Sequence, residues 1–137
     1  NGLAAVDVFV LPKYSTATAD TFKAALYLAS ASLGAATTAY SATGEVTGTN
    51  YSAGGVTVTN ATAPTTSGTT AYWTPSASIT YTNVTLTTAF DAVLIYNSSQ
   101  SNKAVSVHTF GSQTVTAGTF SLTMPTNAAG TALINIA

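Results

Sequence analysis

Histidine, carboxylate and lysine side chains carry most enzyme chemistry, and this chain has few of them. Its 137 residues include one histidine, three lysines and four carboxylates, with no arginine and no cysteine. A catalytic triad needs a nucleophile, a base and an orienting group, and zinc or calcium sites need several ligands at short spacings. The sequence contains no such grouping. We therefore expect no enzyme activity, no catalytic residue, no metal site and no cofactor.

Three side chains still invite a structural explanation. His108 lies in the alternating stretch 103–110, on the face opposite Val105 and Val107, which indicates a strand residue beside a sheet surface or an interface. Glu45 and Asp91 are the other two. Asp91 precedes an apolar run, where a buried charge without partners would be costly. We expect it to reach water, a lysine or backbone N–H groups, with backbone or hydroxyl donors favoured because cations are scarce.

The aromatic residues offer one binding hypothesis. Tyr72 and Trp73 are adjacent, and the chain has seven tyrosines, so Tyr72 and Trp73 could form a stacking platform for a glycan. Alternating aromatic residues are more often found in a core or a subunit interface. Both interpretations remain open at this level.

The scarcity of charge points to an assembled protein. Only 5% of the residues are charged, whereas alanine, threonine and serine make up nearly half of the chain. Freely diffusing proteins use charged surfaces to resist association, so an uncharged, hydroxyl-rich surface is typical of a subunit with neighbours. The net charge of -1 leaves no basic patch for nucleic acid, and no apolar run is long enough for a membrane span. We expect neither as a direct partner.

Hydrophobic periodicity predicts strands along most of the chain. Val6, Val8 and Val10 alternate with other residues before Pro12, and strand patterns recur near residues 21–28, 56–58, 72–73, 79–86, 90–96, 103–110, 118–124 and 131–136. The continuous apolar run 92–96 predicts a central strand covered on both faces. A change of period at Asn83 predicts a β-bulge, 97–102 a hairpin loop, 111–113 a turn, and 37–40 one helical turn.

These elements predict an all-β chain with little helix. Their number and spacing favour one domain over residues 1–137, an antiparallel β-sandwich or jelly roll of about eight strands. Residues 1–14 would form an N-terminal arm or edge strand. Within it, Val6, Val8, Val10 and Tyr14 are candidate interface residues, because an extended arm can add to the sheet of a neighbour.

Several segments of the chain resemble small structural proteins of tailed-bacteriophage virions. The resemblance covers most of the chain from Asp20 onward. It rests on these segments: Asp20–Leu26 (DTFKAAL), Thr38–Val46 (TAYSATGEV), Tyr51–Gly55 (YSAGG), Phe90–Asn97 (FDAVLIYN), Thr109–Gly111 (TFG) and Thr116–Phe120 (TAGTF). The resemblance implies a β-rich, non-enzymatic capsid decoration or cement protein on the outer surface of the phage head. Its partner would be the lattice of the major capsid protein, and a homo-oligomer, with a trimer favoured, would make the contact.

The alternative function is a carbohydrate- or receptor-binding module associated with a tail fibre or spike, for which Tyr72 and Trp73 would supply the stacking surface. The resemblance does not decide between a position on the head and one on the tail. A bacterial surface or pilin-like subunit is a third possibility.

Overall fold

The described residues fold entirely into strands, turns and loops. A computed structural model describes residues 19–59 and 63–137, and within these ranges there is no helix. Two antiparallel sheets are present, a four-stranded sheet in the order β2-β1-β5-β6 and a three-stranded sheet in the order β3-β4-β7. The strands are β1 (Phe22–Leu28), β2 (Val56–Thr57), β3 (Thr65–Ser67), β4 (Thr70–Trp73), β5 (Ile79–Asn97), β6 (Lys103–Leu122) and β7 (Ile134–Ile136).

The sequence-based prediction of an all-β, antiparallel fold is confirmed. The described residues contain seven strands: the patterns at 79–86 and 90–96 belong to one strand, those at 103–110 and 118–124 belong to another, and β3 was not predicted. The predicted turn at 111–113 is therefore wrong, since β6 runs through it. The predicted helical turn at 37–40 is also wrong: a turn closes earlier, from Gly34 to Thr37, and Ala39 then forms a bridge to Lys103.

The centre of the four-stranded sheet is buried on both faces. Side chains alternate along a strand, so Ala24 and Leu26 of β1 join one apolar cluster while Ala25 and Tyr27 join another on the opposite face. In β5 every residue from 92 to 97 is buried, which confirms the prediction from its continuous apolar run. The loop that follows β1 covers the second face, and Leu33 packs there.

The β5–β6 hairpin folds over on itself. Ala24 pairs with Ile95 of β5, yet its carbonyl also accepts a hydrogen bond of 2.8 Å from the Tyr81 hydroxyl. Residues 81 and 95 would be about 45 Å apart along a straight strand, so β5 must bend back between them. In β6, likewise, the rings of Phe110 and Phe120 lie only 5.4 Å apart. The two halves of the hairpin thus enclose the first cluster.

Irregularities in the β5–β6 pairing permit this bend. The register shifts between Tyr81 and Val84, and Asn83 has a φ of 51°, which confirms the predicted bulge. Further shifts follow up to Ala92, and Ala117 has a φ of 46° on the facing strand. Because bulges bend the bulged strand and increase its twist, a series of them turns a long ribbon back over its own face.

The three-stranded sheet shares this core. Trp73 of β4 is 2% exposed, and its ring lies 5.9 Å from that of Phe22 in β1. Ile134 of β7 packs against the same cluster. One core therefore lies between the two sheets, as in a sandwich.

Two separate segments cover the outer edge of β1, with a glycine between them. Near one end Gly44 and Val46 exchange backbone hydrogen bonds with Leu28 and Leu26, and near the other end β2 pairs with residues 23 and 24. Between these segments Gly55, at a φ of 73°, lies directly against β1. A Cβ built on Gly55 would lie 1.7 Å from the Ala24 carbonyl oxygen.

We predict that Gly55→Ala destabilises the fold by at least about 2 kcal/mol, because a left-handed backbone conformation and a clash with the backbone of β1 both oppose the methyl group. Gly34→Ala is the matched control, since a Cβ at Gly34 meets nothing within 4 Å. Chemical denaturation of both variants measures the difference. Equal stability of the two variants would contradict the close approach of residues 52–55 to β1.

Candidate functional site

Between the two segments that cover the outer edge of β1 there is a gap at residues 24–26. Side-chain hydroxyls complete the backbone hydrogen bonding there. The Leu26 amide donates to the Tyr51 hydroxyl at 3.0 Å, and the Tyr81 hydroxyl donates to the Ala24 carbonyl at 2.8 Å. The Tyr51 and Tyr81 rings stack with a centroid separation of 5.9 Å. Buried backbone groups need partners, so these two tyrosines replace the strand that is missing at this point.

Glu45 lies in the loop between β1 and β2 and connects that loop to the gap along β1. Its carboxylate is 7% exposed, and one oxygen accepts hydrogen bonds from the Tyr51 hydroxyl at 2.8 Å and the Gly54 amide at 2.7 Å. The other oxygen accepts from the Tyr40 hydroxyl at 2.6 Å. Tyr40 stacks on Tyr96 at 4.8 Å, and the Tyr96 hydroxyl donates to the Gly54 carbonyl. We call Glu45, Tyr40, Tyr51, Tyr96 and Gly54 the Glu45 cluster.

The environment of the Glu45 cluster favours neutral tyrosines. Burial, and after it the hydrogen bond to the Glu45 carboxylate, raises the pKa of Tyr40 and of Tyr51 well above the ordinary value of tyrosine. Burial likewise raises the pKa of Tyr81, and the negative charge of Glu45 adds to the effect. A neutral phenol can donate to the carboxylate, whereas a phenolate would be repelled by it. The cluster therefore depends on protonated tyrosines.

The donors to the Glu45 carboxylate come from its own loop. Tyrosine hydroxyls and a backbone amide donate to both carboxylate oxygens. Among the described residues no group of three or more histidine, cysteine or acidic side chains could hold a metal ion. The arrangement is thus suited to fixing the loop against the sheet. Sequence reasoning missed it, although a lone glutamate flanked by two tyrosines in a loop of small residues was a usable signal.

The burial of the acidic residues differs from the sequence-based expectation. Asp91 is half-buried, and its carboxylate makes no hydrogen bond to other described residues. The donors expected for Asp91 are found instead at Glu45. Asp91 lies beside a register shift of β5, between Phe90 and Ala92, which the apolar pattern alone did not reveal.

An uncharged strand edge is the second prominent feature. Among the described residues β6 is the last strand of its sheet, and residues 38–40 pair only with its beginning, at residues 102–104. From Ala104 to the end of β6 there is no aspartate, glutamate, lysine or arginine. Soluble proteins normally protect such edges with charge or proline, or by covering them.

A groove runs beside this edge. It has a volume of about 350 Å³ and lies between the loop at residues 33–37 and β6. Small aliphatic and hydroxyl groups line it, including Leu33, Ala104, Val107, Ser106 and Thr109. We call this feature, the outer edge of β6 at Val105–Phe110 together with the groove, the β6 edge site.

His108 lies in β6 and has one side-chain partner. Its Nε2 is 2.9 Å from the Ser106 hydroxyl, and burial lowers the pKa of the imidazole. Val107 faces the opposite side, as expected, whereas Val105 occupies a register shift and packs into the first cluster. No acidic side chain orients the ring among the described residues, so the pair lacks the third member of a catalytic triad.

The structure separates the two residues proposed for glycan stacking. Trp73 is buried against Phe22, so its ring faces are covered by protein, whereas Tyr72 is half-buried and lies on the other face of β4. The two rings do not form one platform. The four interface candidates, Val6, Val8, Val10 and Tyr14, lie outside the described residues.

Comparisons with protein-family models, with curated proteins and with solved structures each gave no match. The resemblance to phage structural proteins therefore stays a prediction. No helix among the described residues has the length and apolar character needed to cross a membrane.

We predict that Glu45→Gln destabilises the fold by about 1–3 kcal/mol. Glutamine keeps the shape of the side chain but turns an NH2 group toward donors, so at least one buried donor loses its acceptor. Asp91→Asn is the control, because the Asp91 carboxylate has no such donors among the described residues. Urea denaturation of both variants is the measurement, and an equal loss of stability in the two would contradict the role of Glu45.

We also predict that the protein unfolds in alkali, with tyrosine ionisation coupled to the loss of structure. The unfolded chain releases its phenolic protons near pH 10, whereas burial raises the pKa of Tyr27, Tyr40, Tyr51, Tyr81 and Tyr96 in the folded chain. Stability is therefore fully present below about pH 10 and falls as the pH rises above it. Tyrosinate absorbance and circular dichroism should change together. Ionisation of most tyrosines near pH 10 with intact strands would contradict this.

Proposed function

We propose that this chain is a non-enzymatic structural protein of a bacteriophage virion, a cement or decoration protein that binds the outer surface of the capsid. The observation that carries the proposal is the uncharged outer edge of β6, open among the described residues and bordered by a groove of small aliphatic and hydroxyl groups. A freely diffusing protein would risk aggregation at such an edge, whereas a subunit in an assembly has neighbours to cover it. The segments that resemble virion proteins direct the proposal to a phage particle.

The proposed mechanism is selective binding to the assembled shell. A protein that binds the expanded lattice of the major capsid protein, and not its free subunits, stabilises the lattice by mass action. A small symmetric oligomer, with a trimer favoured, would strengthen attachment because several weak contacts act together. The described part of the chain supports this role with a buried core and a hydroxyl-rich exterior that carries few charges.

Glycan binding on a tail fibre or spike is the alternative, and the geometry favours it less. Trp73 is buried, which leaves Tyr72 without its partner for a stacking platform. Binding of the full chain to a glycan array, with loss of that binding in Tyr72→Ala, would favour the alternative.

We predict that the purified chain co-sediments with phage heads that lack it, in a fixed ratio to the major capsid protein. Deletion of residues 1–12 should abolish co-sedimentation and leave the circular dichroism spectrum of the β fold unchanged, because the arm is proposed to make a contact with a neighbouring subunit, whereas both buried clusters lie within the described residues. Full occupancy by the deletion variant would contradict the role of the arm. No binding of the intact chain to heads, or a few copies confined to the tail, would contradict the cement function.

A further inference from the structure

The β6 edge site has the two parts that strand addition requires. Main-chain groups on an open edge supply affinity, and an adjoining groove accepts alternate side chains and supplies specificity. In this protein the edge is the outer side of β6 after the pairing with residues 38–40 ends, and the groove lies between residues 33–37 and 104–109. Its walls of glycine, alanine, leucine, valine, serine and threonine carry no charged side chain, so they suit small, uncharged side chains.

The chain itself contains a segment of matching chemistry. Residues 3–11 place valines at every second position, Val6, Val8 and Val10, and contain one charged residue, Asp7. In an added strand these three valines would lie on one face. Pro12 ends the segment, and residues 12–18 link it to the described core.

The start of the described chain lies close to the edge site. Asp20 accepts hydrogen bonds from Asn97 at 2.7 Å and Gln100 at 3.2 Å, and the Thr21 amide donates to Ser99. These contacts fix the chain beside the hairpin loop from which β6 begins. A linker over residues 12–18 spans at most about 25 Å. The hairpin loop beside Asp20 leads directly into β6, so the segment is placed to reach the edge of its own β6 or that of an adjoining copy.

We propose that residues 3–11 of one copy add as a strand to the β6 edge site of a second copy, so that copies are joined by exchanged N-terminal strands. Exchange is favoured over docking within one copy by the composition of the chain. A monomer that covered its own edge would still present a surface with at most six charged residues, since Glu45 is buried, whereas exchange covers the edge and also provides the neighbours that this surface needs. Such a head-to-tail contact closes into a ring when its rotation permits, which gives a small cyclic oligomer. The proposal does not depend on attachment to a virion.

Light scattering of purified protein tests whether copies join. The full chain should be an oligomer, whereas the variant lacking residues 1–12 and the variant Thr109→Lys should be monomers with unchanged circular dichroism. Thr109 is exposed and lines the groove, so a lysine there places a charge at the docking surface. Thr66→Lys, on the exposed strand β3 of the other sheet, is the matched control and should remain an oligomer. A monomeric full chain, or oligomers that persist without residues 1–12, would overturn the proposal.

Thiol cross-linking tests which copy receives the strand. The chain has no cysteine, so introduced thiols are the only reactive ones. We expect a short bismaleimide to join Val8→Cys to Thr109→Cys when the two single variants are mixed, giving a product of twice the mass. The mixture of Val8→Cys with Thr66→Cys should give little of this cross-linked product. If the double variant Val8→Cys/Thr109→Cys instead cross-links within one chain and the mixture does not react, the segment docks on its own copy and exchange is refuted.

These experiments use free protein in solution and are therefore separate from the particle-binding assay. Oligomers linked by the N-terminal segment that do not bind heads would support strand exchange and contradict the cement function. Monomers that nevertheless bind heads would support the cement function and contradict strand exchange.

Discussion

The requirement that buried backbone groups find partners governs the described structure. β1 lies near the centre of the four-stranded sheet, but the strand on its outer side is interrupted at Gly55. Hydroxyls of Tyr51 and Tyr81 complete the hydrogen bonding there, and the Glu45 carboxylate holds Tyr51 in place. One of the few charged groups in the chain, the Glu45 carboxylate, is thus buried inside the fold, where it accepts hydrogen bonds from three protein donors.

The second feature that shapes the described structure is the folding of the β5–β6 hairpin over itself. Bulges bend a long ribbon so that Phe90, Phe110 and Phe120 meet in its interior, with Phe90 and Phe120 at 5.0 Å and nearly perpendicular. The ribbon thereby contributes two layers of the core, and the short strands β3, β4 and β7 add the remaining cover. As a result, the two edges of the four-stranded sheet differ in how well they are covered. Loops and side chains close the edge at β1, whereas among the described residues β6 stays open.

The difference in cover between these two edges connects the structure to the proposed assembly. A chain that protects one edge with a buried carboxylate and several tyrosines leaves the other without charge or proline over residues 104–122. An open edge can pair with another strand, and a groove of small, uncharged groups restricts which strand can pair. Contacts between copies and contacts with a lattice are both proposed for this surface.

The sequence by itself determined the all-β class, the buried central strand at residues 92–96, the bulge at Asn83 and the scarcity of chemistry-bearing side chains, because strand periodicity and composition are local properties. Only the tertiary structure decided that neighbouring strand patterns form one bent strand. It also decided that Glu45 and not Asp91 is the buried, partnered carboxylate, and that Trp73 belongs to the core. These outcomes depend on contacts between residues far apart in the chain, such as Tyr81 with Ala24, which no local pattern encodes.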